Sequence, residues 1–161
     1  MLMDTKEELF NRVAREYRST IYTVCFMYAT DQDEAADLMQ EVLIALWQSI
    51  DNFAEVRNPR SWIYRLALNV CISQDRKRRR HHTEPLTMDI DPYDEPDPNS
   101  KQMENLRQRI SRLPMFDRAI VLLWLENMSY DEIAAIVGIS VKNVSVRLVR
   151  IREQLKQMSD N

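Results

Sequence analysis

Arg76, Lys77, Arg78, Arg79 and Arg80 form an unbroken run of cations, and Lys142, Asn143, Ser145, Arg147 and Arg150 lie within one short stretch. Such side chains bind phosphate oxygens and the edges of bases. The chemistry they offer is recognition rather than bond-making. Residues that make and break bonds are scarce. His81 and His82 adjoin each other with no acid or cysteine at metal-ligand spacing. Cys25 and Cys71 lack metal-ligand spacing and belong to no disulfide framework, so both thiols are expected to be reduced. Gly138 is the only glycine, which rules out a P-loop, a glycine-rich loop or a nucleophile elbow. No catalytic residue, metal site or cofactor is expected, and the chain does not read as an enzyme.

The elements that position the cations must be helices. One glycine, nine methionines and abundant Leu, Arg, Glu and Gln favour helix, and no hairpin turn or sustained alternation marks a strand. A 45% apolar share suffices for real cores. No apolar run reaches about 18 residues, and the charged MLMDTKEELF start has no signal-peptide core. A cytoplasmic protein without membrane insertion is expected.

The net charge of −3 hides a segregation. Residues 57–80 hold eight basic side chains and one acid, residues 81–100 hold six acids and no base, and residues 101–161 hold ten bases and seven acids. Two basic regions therefore flank an acidic strip, a pattern that overall pI conceals and that suits a nucleic-acid partner. The strip HHTEPLTMDIDPYDEPDPNS also contains four prolines and reads as a solvated, extended linker. It divides the chain into helical domains over 1–80 and 101–161. At roughly 3.1 Å per residue its extended reach is about 60 Å.

Periodicity predicts helices over about 5–29, 33–50 and 61–79 in the first domain, with a loop from Asn52 to Pro59. In the second it predicts helices over about 100–112, 116–127, 130–137 and 141–158. Leu9, Val13, Tyr17, Ile21, Val24 and Tyr28 line the first helix. Ala35, Met39, Val42 and Leu46 form one stripe of the second, with Ala36, Leu43, Trp47 and Ile50 beside it. Ile63, Leu66, Ala67 and Val70 form the apolar stripe of the third.

The single glycine marks a turn between two crossed helices. Ser129 to Glu132 has the form of a capping box, Ile133, Ala134 and Val137 face inward, and Ser140 caps the next helix. That helix turns Val144, Leu148, Ile151 and Leu155 inward and Lys142, Asn143, Ser145, Arg147, Val149 and Arg150 outward. The pattern is a helix-turn-helix whose second helix can enter a major groove. The plainer alternatives are a C-cap glycine in an ordinary bundle and a solvated basic face.

On the 61–79 helix, Trp62, Arg65, Asn69, Ser73, Arg76 and Arg80 make a polar face suited to a nucleic-acid backbone. Phe53, Trp62 and Tyr64 could stack on unpaired bases, although aromatics in so small a domain usually belong to its core. On the 33–50 helix, Asp37, Gln40, Glu41, Ile44 and Gln48 form a polar stripe whose charges are all acidic. It is either a plain solvent face or a docking face for a basic partner.

Three stretches, DEAADLMQEVLIALWQSI, NPRSWIYRLALNV…DRKRRR and LPMFDRAIVLLWLENMSYDEIAAIVGISVKNVSVRLVRIREQL, together resemble bacterial sigma factors of the extracytoplasmic-function group, in that family's order and over nearly the whole chain. The resemblance implies an all-α protein of two small domains, sigma domain two and the helix-turn-helix sigma domain four. It implies binding to core RNA polymerase and promoter DNA, an anti-sigma factor as a further partner, and a monomer when free. Asp37, Gln40, Glu41 and Gln48 would then dock on polymerase. Arg60, Ser61, Arg65, Asn69 and Arg76 would contact the minus-ten element, and Lys142, Asn143, Ser145, Val146, Arg147, Val149 and Arg150 the minus-thirty-five element. The chain departs from common family residues at Asn143, Ser145 and Val146. Two rivals from other classes are a self-sufficient helix-turn-helix regulator, which needs a dimer seam or effector pocket, and a DNA-acting enzyme, which needs a clustered nucleophile or metal-binding carboxylates. Neither feature is evident in the sequence.

Overall fold

In a computed structural model, residues 5–80 and 100–158 are described, the side chains of 78–80 and 100 excepted. The acidic linker, His81 and His82 lie outside these residues. All regular elements among the described residues are helical. The chain forms two compact units, Met1–Gln74 and Asp75–Asn161.

The first unit opens with α1 (Lys6–Glu16). The Thr5 hydroxyl accepts from the Glu8 N–H at 3.1 Å, and the Glu8 carboxylate accepts from the Thr5 N–H at 3.3 Å. This reciprocal cap satisfies two donors that the first turn leaves orphaned. The single helix expected over 5–29 is in fact two, because α2 (Arg18–Tyr28) starts after a bend at Tyr17. Tyr17 has φ −105° and ψ 14°. Hydrogen bonds run from the Tyr17 N–H to the Val13 carbonyl and from the Ile21 N–H to the Tyr17 carbonyl, so Tyr17 both closes α1 and opens α2. The bend separates two burial regimes: α1 buries only Val13, while α2 buries Ile21, Val24, Cys25, Met27 and Tyr28.

Helix α3 (Gln32–Ser49) begins where Asp31 Oδ1 accepts from the Glu34 N–H at 2.8 Å. It packs chiefly on α2. Its buried line is Ala35, Leu38, Val42 and Leu46, at helical steps of three, four and four. Leu38 replaces the expected Met39, which is half-buried, and Ala36 and Trp47 are exposed. The contact arc is narrower than the two adjacent stripes read from sequence.

The expected loop after α3 holds a 3-10 turn, Ile50–Glu55, anchored by the fully buried Ile50. Helix α4 (Pro59–Arg80) follows. Asn58 Oδ1 accepts from the Ser61 N–H at 3.2 Å, and Pro59 occupies a first-turn position where its missing N–H costs nothing. α4 buries Ile63, Tyr64, Ala67, Leu68 and Cys71. Leu66 and Val70, expected inside, are half-buried. The inward face is rotated toward Tyr64 and Leu68. Cys25 and Cys71, 46 positions apart, meet here as free thiols sharing a hydrogen bond. That bond, together with burial, pushes the Cys71 thiol pKa far above its ordinary range.

The second unit contains α5 (Ser100–Ser111), α6 (Met115–Leu125), α7 (Tyr130–Val137) and α8 (Val141–Gln157). Six consecutive residues of α6, Arg118 to Leu123, are buried, which marks it as the central helix. α7 and α8 both pack on it and on each other. Arg118 is the unexpected member of that core. Its Nη2 donates to the Ser111 carbonyl at 2.8 Å and the Leu113 carbonyl at 3.4 Å. A cation thus caps carbonyls that α5 leaves unpaired at its C-terminal end.

Candidate nucleic-acid interface

The turn before α8 forms as its residues dictate. Gly138 has φ 78° and ψ 33°, and its N–H donates to the Ala134 carbonyl at 2.9 Å. A Cβ built at Gly138 would meet no heavy atom within 4 Å, so glycine is required for backbone handedness and not for space. Ser140 Oγ then accepts from the Asn143 N–H at 3.1 Å and starts α8. The Ser129 hydroxyl likewise accepts from the Glu132 N–H, and it donates to the Glu132 carboxylate at 3.1 Å. The carboxylate thus meets the hydroxyl instead of reaching the Ser129 backbone, as a full capping box would require. Gly138 is also not the only left-handed position. Asn127, just after α6, has φ 63°. Asparagine tolerates that region better than most side chains, which is why a second glycine is not needed.

Val144, Leu148 and Ile151 hold α8 against the core, and Leu155 is half-buried. On the outer side Lys142, Asn143, Val146, Arg147, Val149 and Arg150 are exposed and Ser145 is half-buried. These residues do not all point alike. Arg147 turns toward α6, with Nη1 3.1 Å from Asp117 Oδ1 and the guanidinium 5.0 Å from the Phe116 ring centroid. Arg152, on the other flank, lies 5.1 Å from the Trp124 ring centroid. Two arginines therefore strap α8 to α6 from opposite sides by charge and cation–π attraction. No sequence signal marks the Arg147–Asp117 pair, which spans thirty positions.

In the first unit, Arg60, Arg65, Asn69 and Arg76 are exposed along α4, and Ser61 is half-buried. Arg60 lies 5.7 Å from the Tyr64 ring centroid. The aromatics divide into two groups. Tyr64 is only 1% exposed and belongs to the core, so it offers no ring face to a base. Phe53 and Trp62 are half-buried and meet edge-on at 5.7 Å.

On α3, Asp37, Gln40, Glu41 and Gln48 are exposed along one strip, with Ile44 among them. Beside this strip lies a cluster that periodicity does not reveal. Phe10 and Trp47 meet edge to face with ring centroids 5.4 Å apart, and Lys6 Nζ sits 4.3 Å from the Trp47 ring centroid. Lys6 is also 3.9 Å from Asp51. The strip's acids and its apolar Ile44 suit a basic partner with some apolar surface.

Comparison with known proteins follows the same division. Sigma-70 region 2 matches residues 13–81, and Sigma-70, region 4 matches residues 103–155. The ECF RNA polymerase sigma factor SigW of Bacillus subtilis is 31% identical, over 96% of this chain and 91% of its own. The sigma factor SigE of Mycolicibacterium smegmatis is 29% identical over 91% of this chain, which spans 60% of that longer protein. Two solved structures share the fold. The sigma factor RpoE of Bartonella quintana, in complex with the anti-sigma factor NepR, superposes with a TM-score of 0.71 at 22% identity, over 92% of this chain and 94% of that one. CnrH, in complex with the cytosolic domain of CnrY, gives 0.66 at 21% identity, over 91% and 84%. Helices, caps and relatives agree, and the chain belongs to the extracytoplasmic-function (ECF) sigma factors of RNA polymerase.

Proposed function

We propose that the chain recruits core RNA polymerase through α3 and directs it to promoters of two elements, with residues 1–80 acting at the minus-ten element and residues 101–161 at the minus-thirty-five element. The observation that carries this is the segregation of charge onto separate helices: exposed acids on α3, exposed cations on α4 and α8. An acidic strip cannot favour DNA and can attract a basic surface of polymerase. Arg60, Ser61, Arg65, Asn69 and Arg76 supply the minus-ten contacts, where Asn69 and the Phe53–Trp62 pair suit unpaired bases. The α8 residues supply duplex contacts. The protein acts by binding, in the cytoplasm, with the chemistry left to polymerase. An anti-sigma protein, of the kind that NepR is for RpoE, would silence it by covering these faces.

Co-purification with core polymerase and run-off transcription on a promoter library test this assignment. Asp37→Arg combined with Glu41→Arg is expected to weaken core binding at least tenfold with an unchanged melting temperature, since both positions are exposed. Wild-type affinity in the double variant would remove α3 from the docking face.

A further inference from the structure

Val146 and Val149 are 48% and 62% exposed on a helix whose other outward side chains are mostly polar. Branched residues add nothing to helix propensity, so their place on this face calls for a partner. At roughly 100° per residue, Lys142, Val146, Val149 and Glu153 lie along the strip opposite the buried Val144, Leu148 and Ile151. A surface approaching α8 from outside meets the two valines between Lys142 and Glu153. Arg147 and Arg152 are drawn aside to the Phe116 and Trp124 rings, which leaves the valines foremost.

The surroundings identify the partner's chemistry. Lys142 and Arg150 are exposed beside the valines and Glu153 closes the strip at its C-terminal end, so the complementary surface is apolar at its centre and anionic beside Lys142 and Arg150. The major groove has that character. Phosphates border it, and the apolar group on its floor is the C5-methyl of thymine. The two valines are about 4.5 Å apart along the helix axis. Successive bases on one strand rise about 3.4 Å, so the pair spans neighbouring steps.

We propose that Val146 and Val149 read the methyl groups of thymines at neighbouring steps of duplex promoter DNA, an assignment that rests on α8 being the duplex-reading helix. Polymerase reconstituted with the full chain would select duplexes from a randomised library upstream of a fixed minus-ten element. The best duplex would then be resynthesised with deoxyuridine replacing thymidine at each position in turn. Wild-type holoenzyme is expected to lose about fourfold in affinity at one or two neighbouring positions, as removal of one buried methyl would cause. In Val146→Ala and Val149→Ala, each with unchanged thermal unfolding, that discrimination should vanish at the matching position. Equal binding of thymidine and deoxyuridine duplexes at every position, with sequence selection intact, would overturn the methyl contact while leaving α8 as the reading helix. Selection of no upstream sequence would overturn the assignment of α8 and the proposal with it. Unchanged discrimination in both valine variants would also overturn it.

Discussion

Helices α4 and α8 both present cations, yet they are built differently. The outer face of α8 is held by straps: Arg147 reaches Asp117 and Phe116, and Arg152 covers Trp124. The outer face of α4 carries Arg65, Asn69 and Arg76 in the open, with an edge-to-face aromatic pair near its first turn. A strapped helix presents a fixed row of side chains, which suits the regular groove of duplex DNA. An open face next to aromatics suits strands whose bases leave the stack. Cation count alone, seven on α4 and five on α8, does not assign them different roles. What distinguishes them is where each arginine is already engaged.

Substitutions confined to one unit sharpen this contrast. Gly138→Val should produce the largest effect. It forces a branched side chain into left-handed backbone, at a cost of about 2 kcal/mol or more. Thermal unfolding should show the second unit weakened and the first unchanged. A uniform loss would mean the units do not fold as separate cores.

The arginines of α8 should then part company. Arg150→Ala should cost about 1–3 kcal/mol of upstream duplex binding, concentrated at one or two base pairs. Arg147→Ala should cost at most about 1 kcal/mol of stability, because its pair with Asp117 is partly exposed. Its binding loss should be spread evenly over the upstream sequence. Titration of single-base-pair variants with holoenzyme measures both. A base-specific defect in Arg147→Ala would show that the strap releases on DNA.

The smallest expected effect belongs to the first unit alone. Burial and the Cys25 hydrogen bond raise the Cys71 pKa in the folded state. An unfolded thiol ionises near about 8.5. A group whose folded pKa is raised stabilises fully below the unfolded value and loses that contribution as pH rises through it. Denaturant titrations should therefore show the first unit weakening above about pH 8.5, and Cys71→Ser should change that slope.

Much of this was legible in sequence because caps are local. Asp31, Ser140 and Gly138 each act within four residues, so their roles could be read without the fold. The stripe of Val144, Leu148 and Ile151 was legible for the same reason. What escaped depends on distant partners. Arg118 reads as a surface cation until Ser111 and Leu113 turn their carbonyls toward it. Arg147 gives no sign of its pairing with Asp117 until α6 brings the two together. Cys25 and Cys71 look solitary until α2 and α4 pack. The bend at Tyr17 escaped because no proline or glycine marks it.

Promoter opening by holoenzyme carrying Asn69→Ala, compared with Arg150→Ala, tests the division of labour between α4 and α8 most directly. Permanganate reactivity of unpaired thymines would be followed on a fully duplex promoter and on one with a pre-melted minus-ten element. Asn69→Ala is expected to bind upstream DNA normally, to open the duplex promoter poorly and to regain activity on the pre-melted one. Arg150→Ala is expected to be weakened on both templates to the same degree. Normal opening by Asn69→Ala, or rescue of Arg150→Ala by pre-melting, would contradict that division of labour.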